Sequence, residues 1–536
     1  MIHNPILRGF HPDPSIVRVG EVYYLATSTF EWFPGVRIYQ SRNLQQWELI
    51  ARPLDRLSQL NLAGVPDSCG VWAPCLSHDG SEFWLVYSQV KSFDGIWKDS
   101  PNFLVTAPAI EGPWSDPIFL GGHGFDGSMF HDQDGSHWYL SMLVDHRKGS
   151  LFGGIILQEY DPDSQTLVGP VDHIFSGTEL GKTEGPHLYQ KDGYYYLITA
   201  EGGTDYGHAI TIARSGARTG PYEVHPRNPL ITASGHPDHP LQRAGHGDLV
   251  QHADGSWHVV FLTGRPFTEH RRCILGRETS IEALIWLEGQ WPLSGSGTRL
   301  PRLKIPQPKG LPPAAPPPEQ EEHLYSFDSL PLSTDFQSLR VPIEETWCSL
   351  SARPGYLRLR GRDSLSSFHE QSLIARRVQH AYVMVEACIE FHPDSFQQLA
   401  GLVCYYNTAH YHYLAISGHE AAATLSLQVI SSRTHHVTES EPVILPKGQP
   451  LYLKANWHTD ALQFFYSLDQ KRWEEVGTVV DGSILSDDFV RESGDQYRPA
   501  FTGAFVGLCC QDLRYRRAYA DIQWMRYRGS GEGMLS

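Results

Sequence analysis

The sequence predicts an all-β chain, a five-bladed β-propeller followed by a β-sandwich domain. Three observations predict it. A motif of polar cluster, short strand, tight turn and aromatic strand recurs five times in the first half. A proline-rich stretch then interrupts the chain. Beyond it, short alternating strands are separated by turn residues.

The five copies read HPDPSIVRVGEVYYLAT from His11, WAPCLSHDGSEFWLVY from Trp72, FDGSMFHDQDGSHWYLSM from Phe125, TEGPHLYQKDGYYYLIT from Thr183 and HGDLVQHADGSWHVVF from His246. Their aromatic strands centre near Tyr24, Trp84, Tyr139, Tyr195 and Trp257, about 55–62 residues apart. Further strands close several units at Trp47, Trp114 and Tyr222. A unit of about four strands repeated around an axis is a propeller blade. The first strand of each blade lies along the central channel, and its beginning faces one mouth.

The stretch IPQPKGLPPAAPPPEQEE, Ile305 to Glu322, is too rich in proline to join a ladder or continue a helix, and makes a stiff extended connector. It divides the chain into a propeller over 1–304, a connector over 305–322 and a sandwich over 323–536. Segments such as YLRLRG, AYVMVEACIEF and LYLKANW in the last part have the alternation of an antiparallel sandwich.

Lys+Arg 43 against Asp+Glu 60 gives a formal charge of −17 over 536 residues. That balance disfavours nucleic acid and anionic membrane as partners. No apolar run approaches the roughly 20 residues of a membrane span. The N-terminus lacks the pattern of a secretory signal. The eight cysteines show neither zinc nor disulfide spacing. A cytoplasmic protein is expected.

One equivalent position in the repeats changes chemistry from blade to blade. Eight residues before the turn aspartate stand Asp126, Glu184 and His246, with Asp13 and Trp72 at nearly the same place in the other copies. Repeats normally reuse packing residues, so reactive variation at one point of the blade marks a site. Asp13 and Asp126 each sit in a sequence that an ordinary turn would also explain. Glu184, in Thr183-Glu184-Gly185-Pro186, does not, because glutamate is a poor turn residue. Three carboxylates converging on one channel mouth raise one another's pKa values. That suits hydrolysis by a proton donor and a water-activating base.

The segments NPILRGFHPDPSIV, STFEWFPGV, GVWAP, GFDGSMFHD, TEGPHLY, AEGGTDYGH, GHGDLV, LTGRP, LGRETSI and TGAFVGL run through both parts. With them the chain resembles the two-domain β-xylosidases of glycoside hydrolase family 43. The resemblance implies an inverting, exo-acting β-1,4-xylosidase that releases xylose from the non-reducing end of xylooligosaccharides, with α-L-arabinofuranosides as further substrates. It implies Asp13 as general base, Glu184 as general acid and Asp126 as the residue that orients the acid and raises its pKa. Inversion implies acid and base carboxyls roughly 6.5–9.5 Å apart.

By the same resemblance Phe30 and Trp72 form aromatic walls around the terminal sugar, and Arg277 bonds its hydroxyls. A surface ion pair of Arg277 with Glu278 or another acid is the bland alternative. His246 is the channel histidine, expected to be a satisfied buried residue rather than a metal ligand. Phe501 or Phe505 would bring a sandwich loop over the pocket, with Phe501 preferred. Asp145, Thr204, Tyr206 and His208 are expected around the pocket on loops after the inner strands. No cofactor or metal is required. The resemblance also implies a homo-oligomer, dimer or tetramer. The competing readings are an α-L-arabinofuranosidase or arabinan hydrolase with the same acids, and a sugar-binding propeller without catalysis.

Overall fold

The structure, a computed structural model, describes residues 1–148, 151–328, 330–419, 424–492 and 499–531. Five antiparallel sheets form the first half, each with its first strand innermost. Blade 1 is Ser15–Val19, Val22–Thr27, Arg37–Ser41 and Glu48–Ala51. Blade 2 is Gly70–His78, Phe83–Val90, Asn102–Ala107 and Ile118–Gly121. Blade 3 is Ser128–His131, His137–Val144, Phe152–Asp161 and Thr166–Phe175. Blade 4 is Glu184–Lys191, Tyr194–Glu201, Ala209–Ser215 and Glu223–Val224, with Ile231–Thr232 added. Blade 5 is Gln242–Gln251, Trp257–Gly264, Glu278–Ile285 and Leu293–Ser294. Each repeated aromatic run is the second strand of its blade, and most of its residues are buried.

Polar groups stitch the inner strands across the channel. Asp248 accepts from Ser15 Oγ and from the Ile16 N–H, both at 2.8 Å, and from the Tyr189 hydroxyl. Ser15 Oγ in turn accepts from the Leu76 N–H at 2.9 Å. Blades 1, 2, 4 and 5 thus meet at one buried carboxylate, which such bonding makes tolerable away from water. The N-terminal segment closes the ring. Ile2–His3 pairs with Lys304–Ile305, and the Asn4 amide donates to Ile281 O and accepts from Ile281 N.

The second half is a sandwich of two large antiparallel sheets. Its strand Gln320–Tyr325 already pairs with Tyr519–Ser530, so the extended connector proper is 306–319. That connector lies on blade 1, where Gln307 Nε2 donates to Asn43 O at 3.2 Å.

Propeller and sandwich share a sheet and a core. Trp32–Phe33, in the loop that follows the second strand of blade 1, pairs with Gln337–Leu339 of the sandwich. The Trp32 indole stacks on Phe505 with centroids 3.8 Å apart and planes at 15°. One hydrophobic cluster runs from Phe30, Trp72 and Leu140 to Leu373, Val403 and Phe505. Two buried arginines cross the boundary. Arg243 of blade 5 is held by Asp487 and Asp488, and Arg340 of the sandwich bonds Asp67 at 2.8 Å. Buried charges persist only with such partners.

Candidate active site

A cavity of about 500 Å³ opens at the channel mouth where the inner strands begin. Asp13 and Asp126 stand two residues before their inner strands and Glu184 is the first residue of its own. Asp13, Asp126 and His246 all have left-handed backbone, with φ of 51°, 57° and 50°. In blade 4 the left-handed residue is Gly185, at φ 57°. Ladder register also slips at Trp72, Glu184 and His246. Such irregularities re-aim side chains that would otherwise follow the strand alternation, and they concentrate where function requires it. Thr183 points away and donates to the buried Glu201, while Glu184 lines the cavity.

Asp13 is nearly buried. It accepts from Ser28 Oγ at 2.7 Å and from Arg277 Nη1 at 3.2 Å. Asp126 sits beneath the cavity with its N–H bonded to Ser88 Oγ. Burial, then Glu184 and Asp13, push the Asp126 carboxyl well above the usual carboxylate range. Glu184 is pushed up to about 8, first by burial and then by Asp13, against opposing pulls from Arg277 and Lys182. At neutral pH, Glu184 carries a proton. Burial holds His246 down to about 4, so its imidazole is neutral there.

Arg277 is the hub of the wall. It bonds Asp13, Thr204 Oγ1 at 2.8 Å and Phe501 O at 3.0 Å, and its guanidinium lies over the rings of Phe30 and Phe501. It makes no pair with Glu278, which Arg265 takes instead with two bonds of 2.6 and 2.8 Å. Phe30, Trp72 and Phe501 meet ring to ring at 5.4–6.1 Å and form an apolar corner. The Phe501 N–H donates to Ser68 Oγ, and Ser68 N to the buried Glu31, so the sandwich loop is tied down.

The cavity gathers all nine of the site residues taken from the sequence, Asp13, Phe30, Trp72, Asp126, Glu184, Thr204, His246, Arg277 and Phe501. Phe505 is buried under Trp32 and does not reach it. Three further expectations are corrected. Asp145 turns to Arg147, at 2.8 and 3.0 Å. The Tyr206 hydroxyl bonds Asp488 at the domain boundary. His208 is fully buried against Gly245, whose missing side chain makes room for the ring. Each lies on a loop after the second strand of its blade rather than after the inner strand, and none of them lines the cavity.

The cavity also has lining that the motifs did not indicate. Phe93, Ile96 and Lys98 come from the blade 2 loop, Phe152 from blade 3, Lys182 from the approach to Glu184 and Arg491 from the short helix Asp487–Glu492. These residues lie outside the repeated motif of polar cluster, turn and aromatic strand, so its periodicity could not find them. Among the described residues, the group of possible metal ligands within mutual reach is His270, Asp460 and Asp481, none of which lines the cavity.

An acid that holds its proton at neutral pH, a second carboxylate bonded by an arginine, and an apolar corner beside polar donors can bind a sugar and cleave its glycosidic bond. Residues 2–292 match the model of glycosyl hydrolases family 43, and residues 325–528 match that of the beta xylosidase C-terminal concanavalin A-like domain. Xylosidase/arabinosidase 43B of Humicola insolens is 48% identical over 98% of this chain and 97% of its own length. A beta-xylosidase of Bacillus subtilis (strain 168) is 44% identical over 98% of this chain and 99% of its own. The crystal structure of a xylan beta-1,4-xylosidase from Bacillus halodurans C-125 superposes with a TM-score of 0.93 at 48% identity, covering 98% of this chain and 100% of that one. The chain belongs to glycoside hydrolase family 43.

Proposed function

We propose that this protein is an inverting exo-β-1,4-xylosidase that removes xylose from the non-reducing end of short xylooligosaccharides. The observation that carries it is a cavity of about 500 Å³ in which Phe501 of the sandwich stands with Phe30 and Trp72 on one side of the three acids. A groove open at both ends would admit internal bonds, whereas a walled pocket takes a chain terminus.

Asp13, bonded to Arg277 and Ser28, takes a proton from water as the water oxygen attacks the anomeric carbon. The bond to the leaving oxygen breaks with its electron pair, and that oxygen takes the proton of Glu184. Asp126, itself pushed toward the protonated form, is a positioning residue for Glu184. The test uses xylotetraose labelled at the reducing end. Release of unlabelled xylose, with labelled xylotriose first, is expected; labelled xylobiose as the first product contradicts exo action.

α-L-Arabinofuranosides are the second substrate class, supported by the xylosidase/arabinosidase relative. Hydrolysis of an aryl arabinofuranoside that competes with xylobiose for one site checks it. If the two substrates do not compete, a shared pocket is excluded. A homo-oligomer and a cytoplasmic, reducing setting complete the proposal. The setting is supported by eight buried, unpaired thiols. Sedimentation and cell fractionation test these, and a monomer or a secreted protein would overturn them.

A further inference from the structure

We propose that Lys182 is a further working part of this pocket, a positioning residue whose ammonium acts on Glu184 and lowers the upper pH limit of turnover. The inference rests on the reading of Glu184 as the acid.

Lys182 and Glu184 line the same cavity, two residues apart on the approach to the inner strand of blade 4. Lys182 has left-handed backbone, φ 53°, a conformation that an ordinary surface lysine avoids. Lys182 is exposed, and the end of its side chain lies over Gly203. A side chain on Gly203 would come within 2.7 Å of Lys182 Cδ and 3.0 Å of Nζ, so the bare glycine, itself at φ 80°, makes the place where the lysine lies. Gly203 lines the cavity as well.

The cavity wall carries four cations, Lys98, Lys182, Arg277 and Arg491. Arg277 is committed to Asp13, Thr204 and Phe501. Arg491 pairs with Asp205 at 2.9 Å. Lys98 donates to Gly95 O and lies over the Phe93 ring. Among the described residues no carboxylate stands within ion-pair distance of Lys182, which leaves its charge to act on the cavity. The groups facing Glu184 are then Asp13, which favours its protonated form, Arg277 and Lys182, which favour the carboxylate, Asp126, itself pushed toward the protonated form, and His246, neutral at working pH.

The sign follows directly. A nearby cation stabilises the carboxylate and makes Glu184 a stronger acid. The acid works only while protonated, so activity falls as pH rises through its pKa. Without Lys182 that fall moves to higher pH, while proton donation to a poor leaving group weakens.

The test compares the pH dependence of kcat/KM on xylobiose for the wild type, Lys182→Gln and Lys182→Arg. Alongside it, the Glu184 carboxyl is titrated by carbon NMR, its signal assigned by its loss in Glu184→Gln. Lys182→Gln is expected to raise both the Glu184 titration and the alkaline limb by about half a pH unit, the scale of a solvent-screened ion pair. Lys182→Arg is expected to restore both. A Glu184 titration that does not move in Lys182→Gln overturns the proposal. A titration that moves under an unmoved alkaline limb contradicts Glu184 as the acid, and the proposal falls with that assignment.

Discussion

Asp13, Asp126 and Glu184 share a place in the repeat but not an environment, and the difference assigns their work. Asp13 is bound by a guanidinium and a hydroxyl, contacts that suit an anion. Glu184 and Asp126 have the burial and like charge that retain a proton. Glu184→Ala should therefore lose about 10²–10⁴ in kcat on xylobiose but far less on an aryl xyloside whose leaving group needs no proton. Equal losses on both would remove Glu184 as the acid. For the wild type, kcat/KM on xylobiose should fall with rising pH near the Glu184 value of about 8, as the proton is lost. An alkaline limb several units higher would contradict that environment.

At the scale of elements, the pocket depends on a loop from the other domain. Phe501 reaches the cavity because Ser68 and Arg277 hold its backbone N–H and carbonyl. Phe501→Ala should raise KM for xylobiose about tenfold or more while leaving the fold intact, since the ring sits at the edge of the core. An unchanged KM would remove it from the sugar-binding wall. Asp126 and Glu184 were legible in the sequence because each stands eight residues before the aspartate of an Asp-Gly turn, and Asp13 because it holds nearly the same place in a copy that turns at Val19-Gly20. Arg277 and Phe501 were legible only through the family resemblance, since neither stands in the repeat. Lys182, Arg491 and the blade 2 loop were not legible, because nothing local says which way a turn aims its side chain. Asp145, Tyr206 and His208 show the same gap from the other side: they follow second strands, not inner ones, and bond elsewhere.

The whole molecule behaves as one body with two architectures. The count of five blades followed from the aromatic strands, and the sandwich from its alternation. The shared sheet through Trp32–Phe33 and Gln337–Leu339 did not, because a two-residue strand has no periodicity to detect. With a common hydrophobic cluster and buried ion pairs across the boundary, calorimetry should show a single cooperative unfolding transition. Two separate transitions would mean that the boundary is weaker than its packing indicates. The central claim, that Asp13 activates water and Glu184 donates the proton in a single displacement, is tested most directly by proton NMR of xylobiose in the first moments of hydrolysis. The account predicts that α-xylose appears first and then mutarotates; β-xylose appearing first would mean retention, with a carboxylate as nucleophile, and would contradict it.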